Sequence, residues 1–271
     1  MPELPEVETI KRELEPYLIG HTFTGVKVHD ARPLGKLPPD EFCSRLVGQT
    51  ILNISRRGKY ILIKLSGSDT LIIHLRMTGS LLWNPPGNEK FTRVEFFFDS
   101  GDRITFTDVR RLGTISLAKK TGTLLKGLGM EPLSSKFTPR ALSDLLSNRQ
   151  APVKAILLNQ NLIAGIGNMY ADEVLFAAAI HPSKPALSLT LEQVNILYEA
   201  IRNVLKKAIR NRGASIRNYR CPDGKAGKAH EKFAVAHRGG LPCPRCGTTI
   251  ARIVIRQRGT YYCPHCQQDK T

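Results

Sequence analysis

The sequence predicts an α+β protein of several domains, in which a leading helix precedes an antiparallel β-sandwich or barrel, a helical domain follows, and a cysteine-bearing hairpin comes last. Three observations indicate this class. Short β-branched and aromatic segments crowd residues 21–119, apolar residues recur at helical spacing after residue 139, and two Cys-x-x-Cys pairs lie near the end. A chain of 271 residues with 41% hydrophobic residues is long enough to bury more than one core.

The leading helix is predicted over residues 5–18. Its apolar residues recur every three or four positions, at Val7, Ile10, Leu14 and Leu18. Pro5 suits the first turn of a helix, where its missing N–H costs no hydrogen bond. The prediction therefore places the acidic, proline-rich segment PELPEVET at a helix N-terminus.

Seven segments that follow are predicted as short strands. They are β-branched, aromatic or alternating, and connections such as SGSD and DSGD are typical of hairpin turns. The segments are TFTGVKV, TILNIS, KYILIKL, TLIIHL, RVEFFF, RITFTD and TISLA. This density of short strands predicts an antiparallel sandwich or barrel.

The segment 120–138 is rich in Gly, Ser and Pro and is predicted as a linker. Beyond it, apolar periodicity predicts four helices, over 139–147, 152–159, 168–179 and 190–211. Residues 213–240 are dense in Gly, Lys and Arg, and their lack of periodicity predicts a mobile loop. The expected domains are residues 1–132, 133–225 and 226–271.

The chain carries 40 lysines and arginines against 23 acidic residues, a formal net charge of +17. The excess is regional, because residues 202–268 hold 15 basic and only two acidic residues. A basic field of this size is typical of proteins that bind a polyanion, most often nucleic acid. A merely solvated surface is the alternative, and the regional bias disfavours it.

No apolar run reaches about 18 residues, so the sequence predicts no membrane span. The first residues are acidic and proline-rich, unlike the basic and then apolar pattern of a secretory signal. The expected compartment is the cytoplasm.

Two cysteine pairs near the end form the pattern C-x2-C-x16-C-x2-C. Its members are Cys243, Cys246, Cys263 and Cys266. This spacing is typical of a zinc site with four thiolate ligands. Because four thiolates leave no open coordination position, we expect one structural zinc ion rather than a catalytic one.

Two further features suit an anionic partner. The segment between the cysteine pairs, TTIARIVIRQRGTYY, predicts a β-hairpin with Arg256 and Arg258 close to its turn, where they could bind phosphates. Between two predicted helices, Gly165 and Gly167 allow a tight turn and Asn168 can cap the following helix. Such a turn exposes backbone N–H groups to an anion.

Six motifs occur along the chain in order and cover nearly all of it. They are PELPEVET at the start, RRGKY at 56–60, HLRMTG at 74–79, DVRRLGT at 108–114, QNLIAGIGNMYADEVLF at 160–176 and the cysteine module. Together they resemble the formamidopyrimidine-DNA glycosylase family. The related endonuclease VIII branch usually begins PEGPEI, so Leu4 and Val7 favour the formamidopyrimidine branch.

The resemblance implies an N-terminal β-sandwich domain, a helix–two-turn–helix domain and a zinc finger, with DNA bound between the halves. It also implies base-excision repair of double-stranded DNA. Members of the family remove oxidised purines, chiefly 8-oxoguanine and formamidopyrimidines opposite cytosine, and then cleave the abasic strand by β,δ-elimination. We expect such an enzyme to act as a monomer on DNA that contains oxidised bases or abasic sites.

In this family the nucleophile is the N-terminal proline, which would be Pro2 once Met1 is trimmed. A terminal amine has a lower pKa than a lysine, so more of it is neutral at pH 7. Attack of this secondary amine on the sugar C1′ gives an iminium ion, which acidifies the C2′ proton and lets phosphate leave. Glu3 is adjacent, and we expect it to transfer protons at the same sugar.

Further site residues follow from the resemblance. Lys59 in RRGKY is expected to contact the phosphate of the damaged nucleotide or to assist elimination. Glu6 and Arg217 are possible active-site residues, and residues 217–238 match the loop that covers the extruded base. The expected DNA-binding residues are His74, Lys154, Asn168 and Arg258.

Extrusion of a nucleotide leaves a void in the duplex, and Met77, Arg110 and Leu112 match the residues that fill it. Arg110 would hydrogen-bond the orphaned base. Leu112 departs from the family, which usually has Phe there. Leucine still serves as a wedge, but it lacks ring stacking worth about 1–3 kcal/mol per base. Cys43 and Cys221 have no expected role.

Two alternatives stay open at this level. One is an endonuclease VIII-like glycosylase that acts on pyrimidine lesions. The other, from a different class, is a zinc-ribbon protein that binds DNA without catalysis.

Overall fold

The computed structural model describes residues 1–87 and 89–268, which form two compact units. The first unit comprises Met1–Lys126 with Asn211–His230, and the second comprises Gly127–Arg210 with the residues from Glu231 onward. A segment that follows the helical region therefore packs with the N-terminal part of the chain. The expected domains 1–132, 133–225 and 226–271 stay a prediction.

An antiparallel β-sandwich makes up most of the first unit, which confirms the predicted fold class. Its strands are β1 Phe23–Val28, β2 Ile51–Arg57, β3 Tyr60–Leu65, β4 Thr70–His74, β5 Gly79–Trp83, β6 Thr92–Phe98, β7 Arg103–Asp108 and β8 Thr114–Ala118. One sheet has the order β1-β6-β7-β5 and the other the order β2-β3-β4-β8. Among the described residues, neighbouring strands in both sheets pair antiparallel.

The two sheets and helix α1 (Leu4–Leu18) enclose one apolar core. In β3, the buried residues Ile61, Ile63 and Leu65 alternate with more exposed ones, as expected for a strand with one face against the core. Phe106 from the other sheet is fully buried in the same core. Burial of this apolar surface is the main force that holds the sandwich together.

Two elements of the first unit have no counterpart in the sequence prediction. Strand β5 is a short run in which four of five residues are buried, so it shows no alternation. Helix α2, Pro39–Leu46, has only two turns and opens on a proline. Both are too short for periodicity to separate them from their surroundings. The predicted linker also contains a short helix, α3, Gly122–Leu125.

Within the described residues, the second unit contains four α-helices and a β-hairpin. They are α4 Pro139–Leu146, α5 Val153–Leu158, α6 Asn168–Ala177, α7 Leu191–Arg210, and the strands β9 Ala251–Ile255 and β10 Arg258–Tyr262. All four helices lie within two residues of their predicted bounds. Single 3-10 turns occur at Arg32–Leu34, Ala186–Ser188 and Ala229–Lys232.

Helix α6 is the buried centre of the second unit and packs against α5, α7 and β10. Its residues 169–176 are all buried, which is why the helix is apolar on more than one side. Helix α7 is amphipathic instead, with Leu197, Ile201 and Leu205 buried at helical spacing. No helix in the described ranges is both long enough and apolar enough to cross a lipid bilayer.

Candidate active site and nucleic-acid interface

The N-terminus of α1 is closed by two glutamates that cap it reciprocally. Glu3 is the N-cap residue, and its backbone N–H donates to Glu6 Oε2 at 2.8 Å while its own side chain accepts the backbone N–H of Glu6. The helix therefore begins at Leu4, one residue earlier than predicted. Pro2 is buried, and Glu3 is only 2% exposed. The structure thus places the two expected catalytic residues side by side in a shielded, preorganised turn.

Glu6 is fully buried and joins α1 to the remote segment Asn211–His230. Its Oε1 accepts the backbone N–H of Ala214 at 2.7 Å. Gly213 has φ +73°, and a Cβ there would lie 2.8 Å from both Cγ and Oε1 of Glu6. Only glycine fits this close approach without strain. Glu6 therefore positions the segment and the Glu3 backbone at once.

The same segment has a second anchor on α1. Arg212 donates to both carboxylate oxygens of Glu13, at 2.6 and 2.8 Å, and lies 3.0 Å from Asp223 Oδ2. The atoms of Glu13, Asp223 and Cys221 that could bind a metal lie within 4.8 Å of one another. Because Arg212 already donates to both carboxylates, we interpret this cluster as an ion-pair network rather than a cation site.

The segment 213–240, predicted as a mobile loop, is largely irregular, and part of it packs into the core of the first unit. Tyr219 and Cys221 are buried in the core of the first unit, and Tyr219 Oη lies 3.2 Å from the carbonyl of Arg212. Burial raises the pKa of the Cys221 thiol to about 11, so the thiol stays protonated. Arg217, which is exposed, lies on the stretch between these anchors. Because this stretch is anchored at both ends and exposed in its middle, Arg217 is well placed to contact a ligand.

Lys59 lies at the two-residue turn between β2 and β3. Gly58 has φ +56°, the sign that the first central residue of a type II′ hairpin turn requires. Arg56 donates to the Gly58 carbonyl at 2.9 Å and to Glu8 Oε2 on α1, also at 2.9 Å. Lys59 itself is only 7% exposed. The Glu8–Arg56 ion pair therefore ties the Lys59 turn to the helix that carries Glu3.

His74, at the end of β4, is buried and stacks edge-on against Tyr60 at a centroid distance of 4.5 Å. Its Nδ1 accepts the backbone N–H of Arg76 at 3.0 Å. Burial, helped by the charges of Arg76 and Lys59, lowers the pKa of His74 to about 4. The imidazole is therefore neutral at physiological pH and carries its proton on Nε2. It could donate a hydrogen bond, but it offers no positive charge to a phosphate.

The three expected void-filling residues lie on two neighbouring loops of the sandwich. Met77 and Leu112 are exposed apolar side chains, each 44% accessible to solvent. Arg110 is also exposed, and its Nη1 lies 2.9 Å from Met77 Sδ. Asp108, at the end of β7, is fully buried between the two loops. The structure therefore brings all three predicted residues together, and Asp108 with them.

In the second unit, Lys154 is fully buried rather than exposed toward solvent. Its Nζ lies 2.6 Å from Asp172 Oδ1, 2.8 Å from Thr260 Oγ1 and 3.1 Å from the Gly259 carbonyl. Asn168 donates to the same Gly259 carbonyl at 2.9 Å. Both residues therefore hold the β9–β10 hairpin close to its turn.

The hairpin turn consists of Arg256 and Gln257, which have φ of +43° and +62°. Two positive φ values define a type I′ turn, which glycine and asparagine normally occupy. Left-handed backbone at non-glycine residues costs on the order of 1 kcal/mol each and tends to occur at functional sites. Arg258 follows directly and is exposed. The hairpin thus presents Arg256 and Arg258 at its exposed turn. Lys154 and Asn168 hold the chain next to this turn through the Gly259 carbonyl.

The four predicted metal ligands converge in the second unit. Their Sγ atoms all lie within 4.8 Å of one another, and the individual separations Cys246–Cys263, Cys246–Cys266 and Cys243–Cys266 are 3.5, 3.5 and 3.9 Å. A tetrahedron with Zn–S bonds of about 2.3 Å has S···S edges of about 3.8 Å. The cysteines therefore fit one zinc ion, and the ion would be structural because all four positions are protein thiolates.

A buried carboxylate also fixes the chain beside this metal site. Glu173 accepts the backbone N–H groups of Ala234, Val235 and Ala236 at 2.8–2.9 Å. Val235 packs with Phe176 and two of the cysteines in a small apolar cluster. Helix α6 therefore supports both the zinc site and the hairpin.

Three parts of the chain match known domain families. Residues 1–115 match the formamidopyrimidine-DNA glycosylase N-terminal domain, residues 128–220 match the H2TH domain of the same family, and residues 240–268 match the zinc finger found in FPG and IleRS. The chain belongs to the formamidopyrimidine-DNA glycosylase family.

Full-length relatives agree with this assignment. The formamidopyrimidine-DNA glycosylase of Chloroflexus aurantiacus is 49% identical over 271 residues, which cover 98% of each chain. A solved complex of a Lactococcus lactis FPG mutant with Fapy-dG containing DNA superposes with a TM-score of 0.91 at 35% identity, covering 99% of this chain and 100% of that one. The complex of Lactococcus lactis Fpg with abasic-site DNA gives a TM-score of 0.90 at 35% identity, covering 98% and 100%.

As a member of this family, the chain is a DNA glycosylase of base-excision repair with a structural zinc finger. Its family motifs occur at the structural positions just described: the capped helix, the Lys59 turn, the paired loops around Asp108 and the α5–α6 turn. In that last turn, the side chain of Gln160 bridges the Gly165 N–H and the Ile166 carbonyl, at 2.9 and 2.8 Å.

Sequence reasoning missed the buried groups that hold these positions. Asp108 ends a strand and precedes a loop, a place where Asp often accepts the N–H two residues ahead, and that signal could have identified it. Nothing local marks Asp172, because its partners Lys154 and Tyr261 are remote in sequence. Glu8 pairs locally with Arg12, but its ion pair with Arg56 joins residues 48 positions apart. Glu3 was expected only as a proton-transfer group, and its role as the N-cap of α1 emerges from the structure.

Proposed function

We propose that this chain excises oxidised purines, 8-oxoguanine and formamidopyrimidines, from double-stranded DNA opposite cytosine and then cleaves the abasic strand. The buried pair Pro2 and Glu3 at the capped N-terminus of α1 carries the proposal. Removal of Met1 would convert the Pro2 nitrogen from an amide to a secondary amine beside the Glu3 carboxylate. The DNA complexes of the Lactococcus lactis relative, one with Fapy-dG and one with an abasic site, support the same two steps.

In the proposed reaction the Pro2 nitrogen bonds to the sugar C1′, and the bond from C1′ to the base breaks with its electron pair on the base. Glu3 protonates the sugar oxygen as the ring opens to an iminium ion. Loss of the C2′ proton expels the 3′-phosphate, and a second elimination expels the 5′-phosphate. Lys59, held on the turn that Arg56 anchors, would contact the phosphate of the damaged nucleotide.

For DNA binding, we assign direct phosphate contacts to Arg258 and Arg256 on the exposed hairpin turn. Lys154 and Asn168 would act through that turn, because both donate to the Gly259 carbonyl. This refines the expectation that all of these residues contact phosphate. His74 would contribute a neutral donor.

The exposed trio Met77, Arg110 and Leu112 would fill the void left by the extruded nucleotide, with Arg110 reading the opposite base. Arg217 would meet the extruded nucleotide from the anchored segment of the first unit. Glu6 would act as a positioning residue, because both of its oxygens accept backbone N–H groups. We place the enzyme in the bacterial cytoplasm at the nucleoid, where DNA is available and thiols stay reduced for zinc.

Borohydride trapping on abasic DNA tests the proposed chemistry, after intact mass has verified that Met1 is absent. The native chain should form a covalent adduct. Pro2→Gly should lose most strand cleavage while DNA binding survives, because the binding groups lie elsewhere. Glu3→Gln should impair base excision more than cleavage of a preformed abasic site. Absence of any adduct with the native chain would favour the non-catalytic DNA-binding alternative.

A duplex panel tests the substrate assignment. We expect faster excision from 8-oxoguanine opposite cytosine than from thymine glycol opposite adenine. The reverse order would support the endonuclease VIII-like alternative and overturn the assignment to oxidised purines, while leaving the lyase chemistry intact.

A further inference from the structure

Asp108 has a buried carboxylate that both loops contact: Oδ1 accepts from each of them, and Oδ2 accepts from the second loop alone. Oδ1 accepts the hydroxyl of Thr78 and the backbone N–H of Arg110, the latter at 3.2 Å. Oδ2 accepts the backbone N–H groups of Leu112 and Gly113, at 2.8 and 2.7 Å. The residue is 0% exposed. Four donors therefore converge on one buried anion.

These donors come from both loops that carry the void-filling residues. Thr78 is the neighbour of Met77, and its hydroxyl also accepts the backbone N–H of Arg110 at 3.0 Å. The other donors belong to residues 110–113 themselves. One carboxylate therefore sets the spacing between the Met77 loop and the loop that carries Arg110.

The local backbone leaves little alternative to this arrangement. Arg111 has φ +58°, a left-handed conformation that needs support from its surroundings. A Cβ at Gly113 would lie 2.7 Å from the Phe106 ring and 3.1 Å from Asp108 Oδ2, so the loop closes tightly on the carboxylate. Within the described part of the chain, no lysine or arginine side chain forms an ion pair with Asp108. Its charge is balanced by backbone dipoles instead.

We infer that Asp108 is a positioning residue that sets opposite-base selectivity by fixing the Arg110 backbone relative to Met77. The inference rests on the proposed role of Arg110 as reader of the orphaned base. A hydrogen-bonding side chain discriminates bases only if the backbone that carries it is held to a fraction of an ångström. The Arg110 side chain is exposed, so the backbone of its own loop sets where the side chain begins.

The test compares excision of 8-oxoguanine opposite cytosine and opposite adenine. In Asp108→Asn, an amide NH₂ replaces one acceptor and faces donor groups, so at least one buried N–H loses its partner. We expect the cytosine-to-adenine rate ratio to fall by about tenfold, the equivalent of one such hydrogen bond. Borohydride trapping on abasic DNA should stay close to that of the native chain.

Matched controls isolate the effect. Asp99→Asn removes one negative charge from an exposed carboxylate bound to His21, and it should leave the ratio unchanged. Thr78→Val removes only the hydroxyl link between the loops and should lower the ratio, whereas Thr78→Ser should retain it. If Asp108→Asn does not fold, the Thr78 pair still decides the question.

Arg110→Ala separates this inference from the proposed function. Loss of selectivity in Arg110→Ala together with native selectivity in Asp108→Asn and Thr78→Val would overturn the role of Asp108 alone. Native selectivity in Arg110→Ala would instead overturn the base-reading role on which the inference rests. We expect Arg110→Ala, Asp108→Asn and Thr78→Val each to lose selectivity. The double variant Asp108→Asn/Arg110→Ala should lose no more than Arg110→Ala alone.

Discussion

Two buried aspartates support exposed contact groups in the two units, and they are stabilised in different ways. Asp108 in the first unit accepts three backbone N–H groups and one hydroxyl. Asp172 in the second unit accepts the Tyr261 N–H at 3.0 Å and lies 2.6 Å from the Lys154 ammonium. One site therefore relies on local dipoles and the other on an ion pair.

The difference determines how each site should respond to mutation and to pH. Three of the four donors to Asp108 are backbone N–H groups within five residues of it, and Thr78 is its one donor that is distant in sequence. In the second site, Lys154 on α5 donates to hairpin residues that lie 105 and 106 positions further along the chain. Burial raises the pKa of Asp172 to about 7 and outweighs the favourable charge of Lys154. The second site is therefore costlier to break and sensitive to pH near neutrality.

Zinc removal should have the largest effect, and it should fall on the second unit. Structural zinc contributes an apparent binding free energy of about 10–16 kcal/mol at pH 7 in zinc-finger peptides. Hydrogen exchange should lose protection in β9 and β10 but keep it in β2 to β4. Equal loss in the sandwich would show that the two units do not fold independently.

Lys154→Met should be the next most damaging change. Removal of one partner leaves Asp172 buried without its cation, which costs about 3–5 kcal/mol. Arg258→Met, at the exposed turn nearby, should change stability by less than about 0.5 kcal/mol. Zinc release during denaturation, followed with a chromogenic chelator, reports on this unit.

The same pair of variants tests whether Lys154 acts through the hairpin. If it does, the double variant Lys154→Met/Arg258→Met should bind DNA no more weakly than the worse single variant. Additive losses would indicate that Lys154 contacts phosphate directly. Each direct phosphate contact that is lost should lower the slope of log K against log salt by about one.

A pH titration should distinguish Asp172 from an ordinary surface carboxylate. Its pKa is about 7 in the folded chain against an ordinary value of 3.8. Between these values the folded state binds more protons than the unfolded state, so its free energy of unfolding should fall as pH rises from 4 to 7. In Asp172→Asn this slope, at most about 1.4 kcal/mol per pH unit, should be absent.

His74 should show the opposite sign in the first unit. Its pKa is about 4 when folded against an ordinary 6.5, so the unfolded chain binds more protons between these values. Stability should therefore fall as pH drops from 6.5 to 4, and His74→Gln should reduce that fall. The single tryptophan, Trp83, lies in β5, so its fluorescence reports on this unit. Identical acid profiles for both proteins would contradict the buried, neutral imidazole.

Much of the fold could be predicted because its signals are local. Helical spacing located α1, α4, α5, α6 and α7, and seven of the eight sandwich strands have an alternating, β-branched or aromatic pattern. Strand β5 and helix α2 were missed because each is short and lacks a distinctive period. The site residues could be found through family motifs, but the motifs do not tell which residues touch a ligand and which support those that do.

The kinds of element, the zinc ligands and the family follow from the amino-acid sequence alone, since they depend on spacing along the chain and on motifs in a fixed order. The folded chain was needed to show that Lys154 is buried, that Asp108 joins two loops and that residues 211–230 pack on α1. The Glu6–Ala214 and Lys154–Thr260 hydrogen bonds join residues 208 and 106 positions apart. A buried polar group must find its partner in space, and no local pattern records a partner that only folding brings near.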